Sequence, residues 1–188
     1  MKRHKLFILV GPSGVGKNTV MDGVLKKNLG LKMVPSFTTR APRKREKNGR
    51  EYFFITRNEF RKLIKNKLLL EHEQVHPGLF YGTPLNKIGQ LLQKNNLIKH
   101  IDVLGAKSLK KAFPRNAVII FIKPPSQKEL KNRILKRGEL SKKEMEERLS
   151  RIPFEMKMIK MADYQVINDK LEKCVADVVK IVKSEMSK

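Results

Sequence analysis

Residues 11–19 read Gly-Pro-Ser-Gly-Val-Gly-Lys-Asn-Thr and follow directly on the apolar run Leu6-Phe7-Ile8-Leu9-Val10. The spacing from Gly11 to Gly16-Lys17 is that of a phosphate-binding loop. Its glycines let the backbone curl so that successive N–H groups face phosphate oxygens, and Lys17 reaches the β- and γ-phosphates. A helix starting near Lys17 adds its positive N-terminal end to the same anion site. One position departs from the pattern: Asn18 stands where Ser or Thr serves as a magnesium ligand. A buried strand, a loop and a helix start, in that order, commit the chain to an α/β architecture.

At 188 residues the chain suits one compact domain with a substantial core. The apolar run that follows Met1-Lys2-Arg3-His4-Lys5 ends at Val10 and enters the loop, which makes it a first strand rather than a signal peptide. No apolar stretch approaches a membrane span, so no membrane role is expected. Cys174 is the only cysteine, compatible with a reducing, cytoplasmic setting, and it falls on the apolar face of the last helix. Lysine and arginine total 42 against 18 acidic residues, a net charge of +24. Such a field favours encounter with polyanions. The lysines are spread along the whole chain and tryptophan is absent, which points to a basic surface serving an anionic substrate rather than to dedicated nucleic-acid binding.

Strand signals lie at Lys5–Val10, Glu51–Ile55, Leu97–Leu104, Ala117–Ile122 and, shorter, Tyr164–Ile167. Helical periodicity fills the intervals: Asn18–Lys27, a face of Leu85, Ile88, Leu91 and Leu92, and a last helix presenting Leu171, Val175, Val178 and Val182. Capping-box spacing recurs at Thr56–Glu59, Ser126–Glu129 and Ser141–Glu144. Apolar strands alternating with helices predict a parallel sheet covered on both faces, with ligands at the carboxyl ends of its strands. Pro35 to about Thr83 and Gly138 to about Met158 break the alternation and read as insertions over the ligand face.

The first of these segments narrows the acceptor. Ser36-Phe37-Thr38-Thr39-Arg40-Ala41-Pro42-Arg43 sets two arginine forks close enough to grip one phosphate. Asn48-Gly49-Arg50-Glu51-Tyr52 brings a tyrosine hydroxyl as a further donor. Glu71 and the run Tyr81-Gly82-Thr83 follow. A carboxylate accepting from N1 and N2 of guanine, with a hydroxyl at O6, selects guanine over adenine.

In this order and spacing the set resembles the guanylate kinase family almost end to end. Further pieces are Ile101-Asp102-Val103-Leu104-Gly105, Arg133-Ile134-Leu135-Lys136-Arg137-Gly138, Arg148-Leu149-Ser150-Arg151 and Val166-Ile167-Asn168-Asp169. The resemblance implies a P-loop nucleoside monophosphate kinase fold, a parallel central sheet with helices on both faces. It implies a core of residues 1–34, 84–137 and 159–188, a GMP-binding insertion at 35–83 and a lid at 138–158. The implied reaction is ATP + GMP giving ADP + GDP, with dGMP as a second acceptor and Mg²⁺ as cofactor, in guanine nucleotide metabolism.

Residue roles follow from the same likeness. Gly11, Pro12, Ser13, Gly14, Val15, Gly16, Lys17, Asn18 and Thr19 would hold the ATP phosphates, with Asn168 beside the adenine and Asn18 as a magnesium contact. Ser36, Arg40, Arg43, Tyr52 and Tyr81 would grip the GMP phosphate, and Glu71 with Thr83 would read guanine. Asp102 would act near the base or the magnesium shell. Arg133, Arg137 and Arg148 would neutralise the transferring phosphoryl beside Lys17. For Arg148 and Arg151, Arg151 in particular, an exposed ion-pair face with Glu144 and Glu147 is the competing expectation, and for Glu71 a surface carboxylate.

Three departures accompany the match: Asn18, His100 in place of the first acid of Asp-Ile-Asp, and a turn at His76–Tyr81 one residue longer than usual, with Phe80 replacing a tyrosine. The competing function is a guanylate-kinase-like binding module without turnover. A kinase of the same fold with a phosphorylated ribose acceptor is a third reading, against which Glu71 and Thr83 argue. The sequence is compatible with a homodimer and does not require one.

Overall fold

The computed structural model describes residues 3–42, 46–50, 52–76, 78–135 and 142–188. The order is β1 (Leu6–Val10), α1 (Lys17–Leu25), β2 (Lys32–Met33), β3 (Ser36–Thr38), β4 (Tyr52–Phe54), α2 (Arg57–Lys65), β5 (Leu69–His76) and β6 (Leu79–Pro84). Then come α3 (Leu85–Leu92), β7 (Leu97–His100), α4 (Val103–Ala112), β8 (Ala117–Lys123), α5 (Gln127–Leu135), α6 (Lys142–Lys157), a 3-10 turn at Met158–Met161, β9 (Tyr164–Ile167) and α7 (Leu171–Met186).

A five-stranded sheet in the order β2-β7-β1-β8-β9 forms the centre, and all its pairings are parallel. Every residue of β1 is buried, as a strand covered on both faces must be. Alternation sorts its side chains. Phe7 and Leu9 join the core shared with α1 and α7, whereas Leu6, Ile8 and Val10 join the core shared with α3 and α4. Cys174 lies in the first of these cores. Both predicted caps within the described residues form: Thr56 and Glu59 make a full capping box, and Ser126 Oγ accepts from the Glu129 N–H at 3.1 Å. Ser141 lies outside the described residues.

The segment 35–83 builds a second sheet, β4-β3-β6-β5, joined by an antiparallel β5–β6 hairpin. Strands β3, β5 and β6 were not among the sequence signals. β3 pairs with β6 of the hairpin, and Phe80 of β6 packs on Phe60 of α2. The strand expected over Leu97–Leu104 is shorter. It stops at His100, because the Asp102 side chain accepts from the N–H groups of Leu104 and Gly105, both at 2.9 Å, and starts α4. Asp102 is thus a helix cap just beyond the strand rather than part of it.

Candidate active site

Strand β1 delivers its chain into a loop that only glycine can follow at its ends. Gly11 has φ of 146° and Gly16 has φ of 96°. A Cβ at Gly11 would lie 2.3 Å from the Ile122 carbonyl oxygen, and one at Gly16 would lie 2.7 Å from Asn168 Nδ2. Gly16 caps α1 without a side-chain acceptor, and the first turn carries no acidic residue. The N–H groups there remain available to an anion. Lys17 Nζ donates to the carbonyls of Gly11 at 2.7 Å and Pro12 at 3.2 Å, folding over the cradle.

The loop is braced from behind. Asn168 at the end of β9 is buried and donates from Nδ2 to the Val15 carbonyl at 2.8 Å. Arg133 of α5 donates from Nη1 to the Asn168 carbonyl at 3.0 Å and from Nε to Glu129. Glu155 of α6, which sequence reasoning missed, accepts from the Ser13 N–H at 3.1 Å. Burial raises its carboxyl above the ordinary value, and the nearby Lys17 charge opposes that rise. A lone acid within Ile152-Pro153-Phe154-Glu155-Met156 was its only signal.

The facing wall comes from the second sheet. Arg40 donates from Nη2 to both carboxylate oxygens of Glu46 at 2.8 Å and from Nε to the Tyr81 hydroxyl at 3.2 Å. Its guanidinium lies 5.4 Å from the Tyr52 ring centroid. The ring of Tyr52 also meets Tyr81 edge-on at 5.8 Å. Tyr81 is thus in contact with both Arg40 and Tyr52. Glu71 and Thr83 face each other in register across the β5–β6 ladder. Burial raises the Glu71 carboxyl above its ordinary value, with the Thr83 hydroxyl and the Lys99 charge pulling it back. The surface alternative for Glu71 is overturned: it lines a cavity, and a Cβ at Gly105 would come within 3.0 Å of its Oε2.

Two basic side chains of β7 support this wall. Lys99 is only 1% exposed, and its Nζ donates to Ser36 Oγ at 2.5 Å and to the Val34 carbonyl at 3.3 Å. Burial lowers it to a pKa of about 8, with Glu71 and Asp102 holding the charge in place. His100 is pushed down to about 3 by burial and by the charges of Lys99 and Lys17. The position expected to carry an acid thus presents a neutral imidazole.

Glu73, also unforeseen, accepts from Arg151 Nη2 at 3.0 Å. This gives Arg151 a partner on the second sheet that the sequence did not suggest. Burial and the adjacent Asp102 carboxyl raise Glu73 to about 7, while Arg151 opposes the shift.

Loop and wall enclose one cavity. Ser13, Gly14, Gly16, Lys17, Asn18, Thr19 and Glu155 line one side; Ser36, Arg40, Tyr52, Glu71, Leu79, Tyr81, His100, Ile101, Asp102 and Arg148 complete it. Thr83, Arg133 and Asn168 are not in its lining: Thr83 is fully buried behind Glu71, and the other two brace the loop. Arg43 and Arg137 lie outside the described residues.

The guanylate kinase family model matches residues 3–185 of the chain. The chain belongs to the guanylate kinase family. A guanylate kinase of Oceanobacillus iheyensis is 42% identical over 181 residues, spanning 96% of this chain and 87% of that protein. One from Clostridioides difficile is 39% identical over 189 residues, spanning all of this chain and 91% of the relative. Among solved structures, the crystal structure of guanylate kinase from Anaplasma phagocytophilum superposes with a TM-score of 0.82 at 30% identity, covering 100% of this chain and 88% of that one. As the family's P-loop kinase fold requires, the phosphate loop sits at the carboxyl end of a central parallel strand.

Proposed function

We propose that the cavity is a two-nucleotide site in which the γ-phosphoryl of ATP passes to GMP or dGMP, giving ADP and GDP. The observation that carries this reading is the shared cavity. Lys17 and the loop stand on one side, and Ser36, Arg40, Tyr52, Tyr81 and Glu71 stand on the other. A binding module without turnover has no use for a phosphate-loop lysine opposite a phosphate-gripping arginine.

Phosphoryl transfer of this kind asks for position and charge rather than covalent chemistry. The loop N–H groups and Lys17 orient the donor phosphates. Arg40, with Arg43 beside it in sequence, fixes the acceptor phosphate, while Tyr52 and Tyr81 hold Arg40 in place. Glu71 accepts from the guanine edge, with Thr83 behind it. Asp102 completes the floor, and Arg148 enters from α6 to meet charge developing on the moving phosphoryl. Arg137 is assigned with Arg148 to the same task. Arg133 and Asn168 serve through the loop they brace, which also forms the adenine side of the donor site. Residues 35–83 and 138–158 act as the GMP-binding insertion and the lid, whose closure excludes water and suppresses ATP hydrolysis.

The oxygen donors along the cavity, Asn18, Asp102 and Glu155, are hard ligands that suit Mg²⁺. Among the described residues no cluster of three or more His, Cys, Asp or Glu side chains could hold a metal ion alone. The ion therefore fits as one delivered with ATP, Asn18 offering an amide oxygen. When bound, Mg²⁺ neutralises phosphate charge.

Among the described residues no helix is long and apolar enough to cross a membrane. We assign the protein to the cytoplasm, with nucleotides rather than nucleic acid as its partners. A coupled ADP-release assay over GMP, dGMP, AMP, CMP and UMP tests the function. Turnover with GMP and dGMP alone is expected. Equal rates with AMP would overturn the guanine assignment, and no turnover with any acceptor would favour the binding module.

A further inference from the structure

Lys99 occupies an expensive position. Its ammonium is withdrawn from water, and its hydrogen bonds go to a hydroxyl and a carbonyl rather than directly to a carboxylate. Burying a charge this way is unfavourable unless something compensates. Partial compensation comes at longer range from Glu71 and Asp102, both of which line the nucleotide cavity.

The direction of the Lys99–Ser36 bond has a chemical consequence. An ammonium has three donors and no acceptor, so Ser36 Oγ can only accept from it. The Ser36 proton must then point elsewhere, and Ser36 lines the cavity. With one lone pair taken by the ammonium, the hydroxyl keeps its proton free to donate into the cavity. A ligand group that accepts hydrogen bonds, such as a phosphate oxygen, matches that proton.

We propose that Lys99 is a positioning residue for the acceptor nucleotide: through its hydrogen bond it fixes the Ser36 hydroxyl as a donor aimed at the phosphate of GMP. The inference rests on the reading of Ser36 as part of the GMP phosphate site. Lys99 touches no substrate itself. It sets the polarity of a group that does, and it adds a buried positive charge beneath an anionic ligand.

Lys99→Met keeps the length and apolar stem of the side chain and removes the ammonium. Three measurements read the result: KM for GMP, KM for ATP, and calorimetric binding of GMP against guanosine, which lacks the phosphate. The expected result is a KM for GMP raised about tenfold, the scale of one hydrogen bond to a charged group. KM for ATP and guanosine binding should stay within about twofold. Ser36→Ala should cause a similar GMP-specific loss alone and little further loss in the Lys99→Met background, because the two act as one unit. Should Lys99→Met fail to fold, Lys99→Leu carries the same measurements, since it likewise has no donor for Ser36. An unchanged KM for GMP in either variant overturns the proposal. So does guanosine binding weakened as much as GMP binding, or a Ser36→Ala loss that simply adds. If the wild-type protein binds guanosine but neither binds nor phosphorylates GMP, the underlying reading of the phosphate site fails instead.

Discussion

Glu73 on β5 and Arg151 on α6, 78 positions apart, meet in an ion pair at 3.0 Å. The pair ties the hairpin of the acceptor wall to the helix whose Glu155 holds the donor loop. Elements on opposite sides of the cavity are therefore joined by this contact.

The Glu73 carboxyl titrates at about 7 in the folded protein against an ordinary value of 4.5. Between those values the folded state binds the extra proton, so this group's contribution to stability is present at low pH and is lost as pH rises through the interval. Glu73→Gln keeps the neutral form at all pH. Thermal melts should converge for variant and wild type near pH 5, and the variant should melt higher at pH 8. A constant difference across that range would show that the fold does not raise the Glu73 carboxyl.

Lys17→Ala should reduce kcat by about a thousandfold, the scale for losing a charged group that stabilises developing phosphoryl charge. Steady-state assays at saturating ATP and GMP separate this from weakened ATP binding. A rate close to wild type would contradict the phosphate-loop assignment.

Glu71→Gln should lower kcat/KM for GMP by about a hundredfold, because a site built to hydrogen-bond its ligand loses most when a partner is mispaired. The replaced amide presents a donor where guanine also donates. Discrimination against AMP, measured as a ratio of kcat/KM values, should shrink with it. Retained GMP preference would move guanine recognition to another residue.

Glu155→Ala leaves the Ser13 N–H without its acceptor, and an unmade hydrogen bond of this kind is worth about tenfold in binding. KM for ATP should rise by that factor and KM for GMP should not. Equal increases in both would mean that α6 acts on the whole cavity rather than on the loop.

The donor half of the site was legible because its chemistry depends on consecutive residues. Gly11 to Thr19 carry their geometry in their own order, and β1 before them is apolar throughout. Glu71, Thr83 and Tyr81 were legible as members of a motif set, though nothing in Glu71-His72-Glu73 marked the first as half-buried. Lys99 escaped notice because a lysine in a strand ordinarily points to water; here both faces of β7 are covered. Arg151 and Glu155 sit in a helix crowded with charge, where a partner four residues away and one 78 away look alike in sequence. Only the approach of the second sheet brings Glu73 to Arg151.

Cys174 shows what the core on the α1 and α7 side implies for handling the protein. Its thiol is fully buried, and burial pushes its pKa up to about 11. Reaction with an alkylating reagent requires both access and thiolate, and the folded state withholds both. Modification of this single sulfur thus counts excursions that separate α7 from the sheet. Its rate in native buffer becomes a clock for the kinetic persistence of the fold, one that leaves the nucleotide cavity untouched.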